Sequence, residues 1–218
     1  MKKGFTLAEV LITLGIIGIV AVLTIPAVMK NYKNRLYVSQ LEKTYAQISD
    51  AAQAIMNDEH CSNFYETKAA RPNSCTNAAK GECQAGAGYF LNNYFKPIRR
   101  NCKTGTDKCL ADKYTNIDGA AAGSFYGEYC IQTTNGAAIC IEYNKANHVP
   151  SVAVDINGTS EPNMTGRDVF VMNITEKGTI IDLGNADDCN KANAESHIAK
   201  YAAGCLRKVK DAGWKMEY

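Results

Sequence analysis

From Phe5 to Val28 almost every position is apolar, and residues 10–28, VLITLGIIGIVAVLTIPAV, are nineteen uncharged residues in a row. That length crosses the hydrocarbon core of a membrane as one helix. One carboxylate interrupts the stretch, at Glu9. An ionised side chain at the bilayer centre costs roughly 2.5–3.5 kcal/mol, so such residues tend to mark function. An acid near the membrane surface, reaching back to water, is the plain alternative. Beyond the polar NYKNR, apolar residues recur at Tyr37, Leu41, Tyr45, Ile48, Ala52 and Ile55, four or three apart. That spacing predicts the core-facing stripe of an amphipathic helix. Phe5 to about Asn57 therefore reads as one helix, roughly 80 Å long at 1.5 Å per residue. Its first half is apolar all round, and Pro26 removes one backbone hydrogen bond and should bend or loosen it there.

The pattern then changes. Residues 58–123 show little periodicity and many Asn, Gly and Ala. Strand character begins near Ser124, where SFYGEYCIQTTNGAAICIEY has two β-rich runs around Asn135-Gly136, a hairpin signal. With a two-residue turn, Cys130 faces Ile141 and Cys140 faces Ile131, so the two cysteines point to opposite faces and no bridge between them is expected. Further strands are predicted at Ser151–Ile156, Val169–Ile174 and Thr179–Leu183. One long helix followed by an antiparallel sheet gives an α+β head.

Composition adds the compartment. The 218 residues carry 24 basic and 22 acidic side chains, a formal charge of +2. No global positive field is present, and a nucleic-acid partner is not expected. A local basic cluster, Lys96, Arg99, Arg100, Lys103 and Lys108, suits either a solvated loop face or a contact with DNA or acidic lipid. Nine cysteines are the strongest compositional signal. None forms C-x-x-C and none has zinc-finger spacing with histidine. Behind an apolar N-terminal segment, such usage reads as disulfides formed outside the reducing cytosol, and the odd count leaves one thiol unpaired or paired with another chain. Cys102 and Cys109 could close a small loop. The N-terminal segment is a poor secretory signal, because only Lys2 and Lys3 precede it and no small-x-small site follows. Lysines 30 and 33 and Arg35 on its far side leave the direction of insertion open.

The stretch KKG-FTLAEVLITLGIIGIVAVLTIP resembles the N-terminus of type IV prepilins and type II secretion pseudopilins. The resemblance implies a leader, residues 1–4, cut between Gly4 and Phe5 by a prepilin peptidase, with N-methylation of the new amino terminus on Phe5. It implies a transmembrane and assembly helix at 5–28, its amphipathic continuation at 29–57, and a globular pilin-like head at 58–218. Pro26 falls where the family often has a helix-bending proline. Glu9 falls where the family has a glutamate, and in a filament its carboxylate would pair with the amine on Phe5 of a neighbouring subunit. Two buried opposite charges offset each other's desolvation. The function implied is a structural subunit of a pseudopilus or pilus. It would be anchored by a single pass in the inner membrane, its head in the periplasm or outside, and polymerised with other pilin subunits. A low-abundance minor pilin whose head binds DNA, a surface or a secreted substrate is the second reading.

Two C-terminal blocks extend the resemblance. VDINGTSEPNMTGRDVF looks like a segment recurring in prepilin-type heads, some of which bind calcium in a C-terminal loop. Here Asp155, Asn157, Asn163 and Asp168 could surround Ca2+, which takes six to eight oxygens. The spacing is not that of an EF-hand, and Asx residues also cap loops through their own hydrogen bonds. The ending, from Cys189 to Tyr218, is similar to a family pattern of a cysteine pair, a short helix and a GWK-aromatic tail. That pattern implies a Cys189–Cys205 bridge, and a loop of that size constrains the unfolded chain by about 3 kcal/mol. An enzyme finds little support: His60, His148 and His197 are isolated in sequence, and no H-E-x-x-H, G-x-S-x-G, P-loop or dinucleotide fingerprint is present, although triads assemble in space.

Overall fold

The structure, a computed structural model, describes residues 4, 6–103, 108–125, 127–143, 149–191 and 198–218, with 27, 199 and 200 as backbone only. The predicted long helix is α1, Leu7–Asp58, which runs through Pro26. By contacts the chain divides into two compact units, Met1–Leu36 and Tyr37–Tyr218, so the striped end of α1 is counted with the head.

In the head, α1 is followed by strands β1 (Ser74–Asn77) and β2 (Glu82–Ala85), helix α2 (Gly86–Tyr94), strand β3 (Pro97–Arg100) and the short pair β4 (Tyr114–Thr115) and β5 (Ala121–Gly123). Then come β6 (Tyr129–Thr133), β7 (Ala138–Tyr143), β8 (Pro150–Asp155), β9 (Val169–Ile174), β10 (Ile180–Asp182) and the short helices α3 (Ile198–Ala202) and α4 (Cys205–Asp211). The main sheet is antiparallel and six-stranded, in the order β10-β9-β8-β7-β6-β3. The fold is α+β and consistent with a pilin.

Burial explains why its strands are apolar at nearly every position. On one face Tyr129, Ile131, Ile139, Ile141, Val152, Val154, Phe170 and Met172 form one core with Tyr37, Leu41, Ile48, Ala52 and Ile55 of α1. Tyr45, the remaining stripe residue, packs against that core half-buried. The other face carries smaller side chains, Cys130, Ala138, Cys140, Ala153, Val169 and Val171, under Leu110, Tyr114, Phe125, Ile198 and Ala202. A sheet covered on both faces has no polar alternation to show. Residues 58–123, read as aperiodic, contain β1, β2, α2 and β3; Phe90 and Leu91 of α2 are fully buried in the helix-side core.

The hairpin corrects an expectation. Cys130 lies directly across from Cys140 and the two are bridged, with Cα atoms 4.1 Å apart. The loop has three residues, 134–136, not two. Gly136 N–H donates to Thr133 O and Thr133 N–H to Ala137 O, both at 2.9 Å, with Gly136 at φ +91°. A glycine in the left-handed position closing a three-residue loop is a common hairpin form, and the Thr133 hydroxyl adds a bond to Ala137 O at 3.0 Å. One extra loop residue shifts the register by one and turns both cysteines to the same face. Cys75–Cys83, Cys102–Cys109 and Cys189–Cys205 are the other bridges, and Cys61 is a free thiol. Peptide mapping without reduction should therefore recover four intramolecular crosslinks, including Cys130–Cys140, with alkylation confined to Cys61. A Cys130 peptide alkylated in the native protein would overturn the three-residue loop.

Candidate functional site

The residues singled out at the N-terminus sit where α1 begins. Thr6 N–H and its hydroxyl both donate to one Glu9 carboxylate oxygen at 2.8 Å, and Glu9 N–H donates back to the Thr6 hydroxyl at 3.3 Å. This is a reciprocal capping box, which satisfies backbone donors that a helix start otherwise leaves open. Glu9 is thus held over the helix N-terminus by its own chain. The signal was present in the sequence as T-L-A-E, the S/T-x-x-E pattern, and membrane cost alone did not point to it. Gly4 is exposed, and a side chain there would meet nothing within 4 Å. Phe5, the expected site of cleavage and methylation, lies outside the described residues. Between Leu7 and Met29 the large apolar side chains are exposed, and Pro26 is exposed among them. The helix is long and apolar enough to cross a membrane. A continuous apolar surface of this size is not stable against water and requires lipid or another chain.

Comparison with known proteins bears on this same segment. Residues 1–25 match the prokaryotic N-terminal methylation motif. The chain carries a prepilin-type N-terminus. That motif is of the prepilin type and supports a type IV pilin-like reading of the chain. With the apolar helix it fits a membrane-anchored pilin. No curated protein and no solved structure matches the chain.

The two C-terminal blocks of this prepilin-type chain fold as one unit. Asp155 and Asp168 are both fully buried. Asp155 accepts the Tyr114 hydroxyl at 3.0 Å and Asn157 N–H at 3.3 Å. Asp168 accepts Asn163 N–H at 2.8 Å and Met164 N–H at 2.6 Å, folding the loop around its carboxylate. Gly166, at φ +78°, lies so close to the Cys189–Cys205 bridge that a Cβ would come within 3.0 Å of Cys205 Sγ. Thr165 bonds Asn190 at 2.7 Å, and Gly166 O accepts the Tyr218 hydroxyl at 2.6 Å. Arg167 reaches Tyr218 O at 3.2 Å, and Lys208 stands over the Tyr218 ring.

The four expected calcium ligands are therefore near one another, but not as a cage. Each carboxylate oxygen already accepts one N–H or O–H donor, which leaves it fewer lone pairs for a cation. Only the side-chain oxygens of Asn157 and Asn163 are buried without a partner, two of the six to eight that calcium needs. Among the described residues no group of three or more His, Cys, Asp or Glu could hold a metal. As arranged, these donors form a hydrogen-bonded loop clamp. Of the three histidines, His60 is described, on a left-handed turn after α1; His148 and His197 lie outside the described residues. The basic cluster is partly engaged: Arg99 donates to Lys108 O, Lys103 to Gly127 O, and Lys108 pairs with Asp112.

Burial pushes the Asp155 carboxyl well above the usual carboxylate range, with Asp168 adding to the rise. Burial also pushes Asp168 up to about 6, against the pull of the Met164 and Asn163 N–H groups. A carboxyl that holds its proton more tightly folded than free stabilises the fold in acid. That contribution is complete below the ordinary carboxylate pKa and is lost as pH rises through the folded value. The melting midpoint of the full chain in detergent should fall as pH rises from about 4 through about 6, and fall less in Asp168→Asn. Millimolar calcium should leave it unmoved. A rise with calcium that chelator reverses would show that the cation does displace the N–H donors.

Proposed function

We propose that this chain is a structural subunit of a type II secretion pseudopilus or type IV pilus, made as a prepilin and polymerised through its N-terminal helix. Prepilin peptidase cuts between Gly4 and Phe5, and Phe5 is then N-methylated. Before assembly the subunit sits in the inner membrane by one pass, with its disulfide-bonded head on the oxidising side, in the periplasm or at the cell exterior. The observation that carries the reading is the methylation motif over residues 1–25, on a helix whose apolar surface calls for lipid or like helices.

The capping box gives the assembly step a physical form. In an isolated subunit the Thr6 donors offset part of the cost of keeping Glu9 charged in an apolar setting. On assembly, the cationic amine of Phe5 from a neighbouring subunit would pair with the same carboxylate. Glu9 then reports register between subunits, because an unpaired buried charge is costly and a paired one much less so.

Intact mass of the protein recovered from cells with an active prepilin peptidase should, after reduction, equal residues 5–218 plus one net CH2 for the added methyl. A mass that retains Met1 would sink the processing. Glu9→Val and Glu9→Gln separate the two roles of the side chain. Glutamine keeps an acceptor for the capping box and loses the charge, whereas valine loses both. Both variants should insert in the membrane, and both should be strongly reduced in fibres. Wild-type fibre yield from Glu9→Gln would mean that the cap, and not the charge pair, is what assembly needs.

A further inference from the structure

In the head, the exposed large aliphatic side chains among the described residues are Ile98, Ile181 and Leu183, at 58%, 49% and 38% exposure. All three lie at the edges of the same sheet. Ile98 is in β3, one end of the strand order, and Ile181 is in β10, the other end, with Leu183 directly after it. Scattered single apolar residues need no explanation, but confinement to two opposite edges is a pattern.

The edges also differ in charge. Around Ile98 stand Lys96, Arg99 and Arg100, all exposed, with one Arg99 nitrogen already donating to Lys108 O at 3.3 Å. Around Ile181 and Leu183 stand Asp182, Asp187 and Asp188. Two of these acids are already in use: Asp182 accepts the N–H groups of Gly184, Gly204 and Arg207, and Asp188 accepts Asn185 N–H and pairs with Lys191 at 3.6 Å. Asp187 is exposed and has no ion-pair partner among the described residues. The nearby Arg207 guanidinium is occupied by the Asn185 side chain at 3.1 Å.

Backbone pairing between these edges is blocked. The β3 register slips between Pro97 and Arg99, which makes Ile98 an exposed bulge residue. Bulges and edge cations are devices that prevent strand addition. Any contact here is made by side chains.

We propose that the β3 edge of one copy packs on the β10 edge of the next, Ile98 against Ile181 and Leu183, with Arg99 and Arg100 facing Asp187. This rests on the filament reading above. Unlike surfaces joined head to tail give an open series of subunits and not a closed pair. Three aliphatic side chains bury far less than the roughly 1,000 Å² of a stable interface. The contact therefore acts only where the N-terminal helices already concentrate the heads, as a second, tethered binding event.

The test places a benzophenone amino acid at Ile98 of the full chain and irradiates fibres. The expected product is a crosslinked pair of this chain in which peptides spanning residue 98 join peptides spanning 181–183. Asp187→Lys should lower that product about tenfold, since like charges then oppose each other, and adding Arg99→Glu with Arg100→Glu should restore it. Crosslinks to other regions of a second copy, crosslinks to a different polypeptide, or an unchanged yield in Asp187→Lys would each overturn the edge contact while leaving the filament reading intact. Absence of the unmodified chain from fibres would overturn both.

Discussion

The head is organised by the burial of one stripe of α1 against one face of the six-stranded sheet. Leu41, Ile48 and Ile55 are fully buried there, each contributing about 1.5–3 kcal/mol relative to exposure. The rest of the architecture follows from having the sheet's bulky face committed to the helix. The opposite face is left with Ala138, Ala153, Cys130 and Cys140, small enough for the segment carrying Tyr114 and Phe125 to lie directly on it. That segment's path is held by the short β4–β5 pair and by backbone bonds of Thr115 to Asn163 O and from Thr165 N–H. The Cys102–Cys109 bridge and the Tyr114–Asp155 bond supply what backbone ladders do not.

A single helix therefore meets two solvents. From Leu7 to Met29 it presents exposed apolar side chains, a polar stretch at 30–35 follows, and from Tyr37 it is one wall of a packed protein interior. The change of environment is written in the sequence as a change from unbroken apolarity to a stripe. The one acid in the apolar part is placed at the first turn, where backbone N–H groups and Thr6 can receive it.

Long-period features were legible and single-residue ones were not. The helix, its stripe, the strands near 151, 169 and 179 and the hairpin around Asn135-Gly136 all follow from patterns spread over many residues. The hairpin register rests on one residue, because Asn-Gly can fill a two-residue turn or close a three-residue one, and the Thr133 side-chain bonds that favour the latter are not a sequence pattern. Helix α2 was hidden because GAGYFLNNY opens with glycines and shows a single apolar turn. In the loop at 155–168 the sequence offers oxygen-bearing side chains as candidate ligands. Which lone pairs are already taken by Tyr114, Asn163 and Met164 depends on backbone paths that composition does not carry.

The four bridges span eight, seven, ten and sixteen residues. Seen as mechanics, they set how far the head can lengthen under load. In the proposed filament, a pull along the axis would draw on α1, whose residues from Tyr37 on are anchored in the core that the sheet completes. An unfolded residue yields at most about 3.3–3.6 Å of contour, so the Cys189–Cys205 bridge alone withholds roughly 50 Å of extension. Cys130–Cys140 ties two neighbouring strands of the sheet, so β6 and β7 cannot be peeled fully apart even after their ladder breaks. A subunit built this way tears late and stretches little.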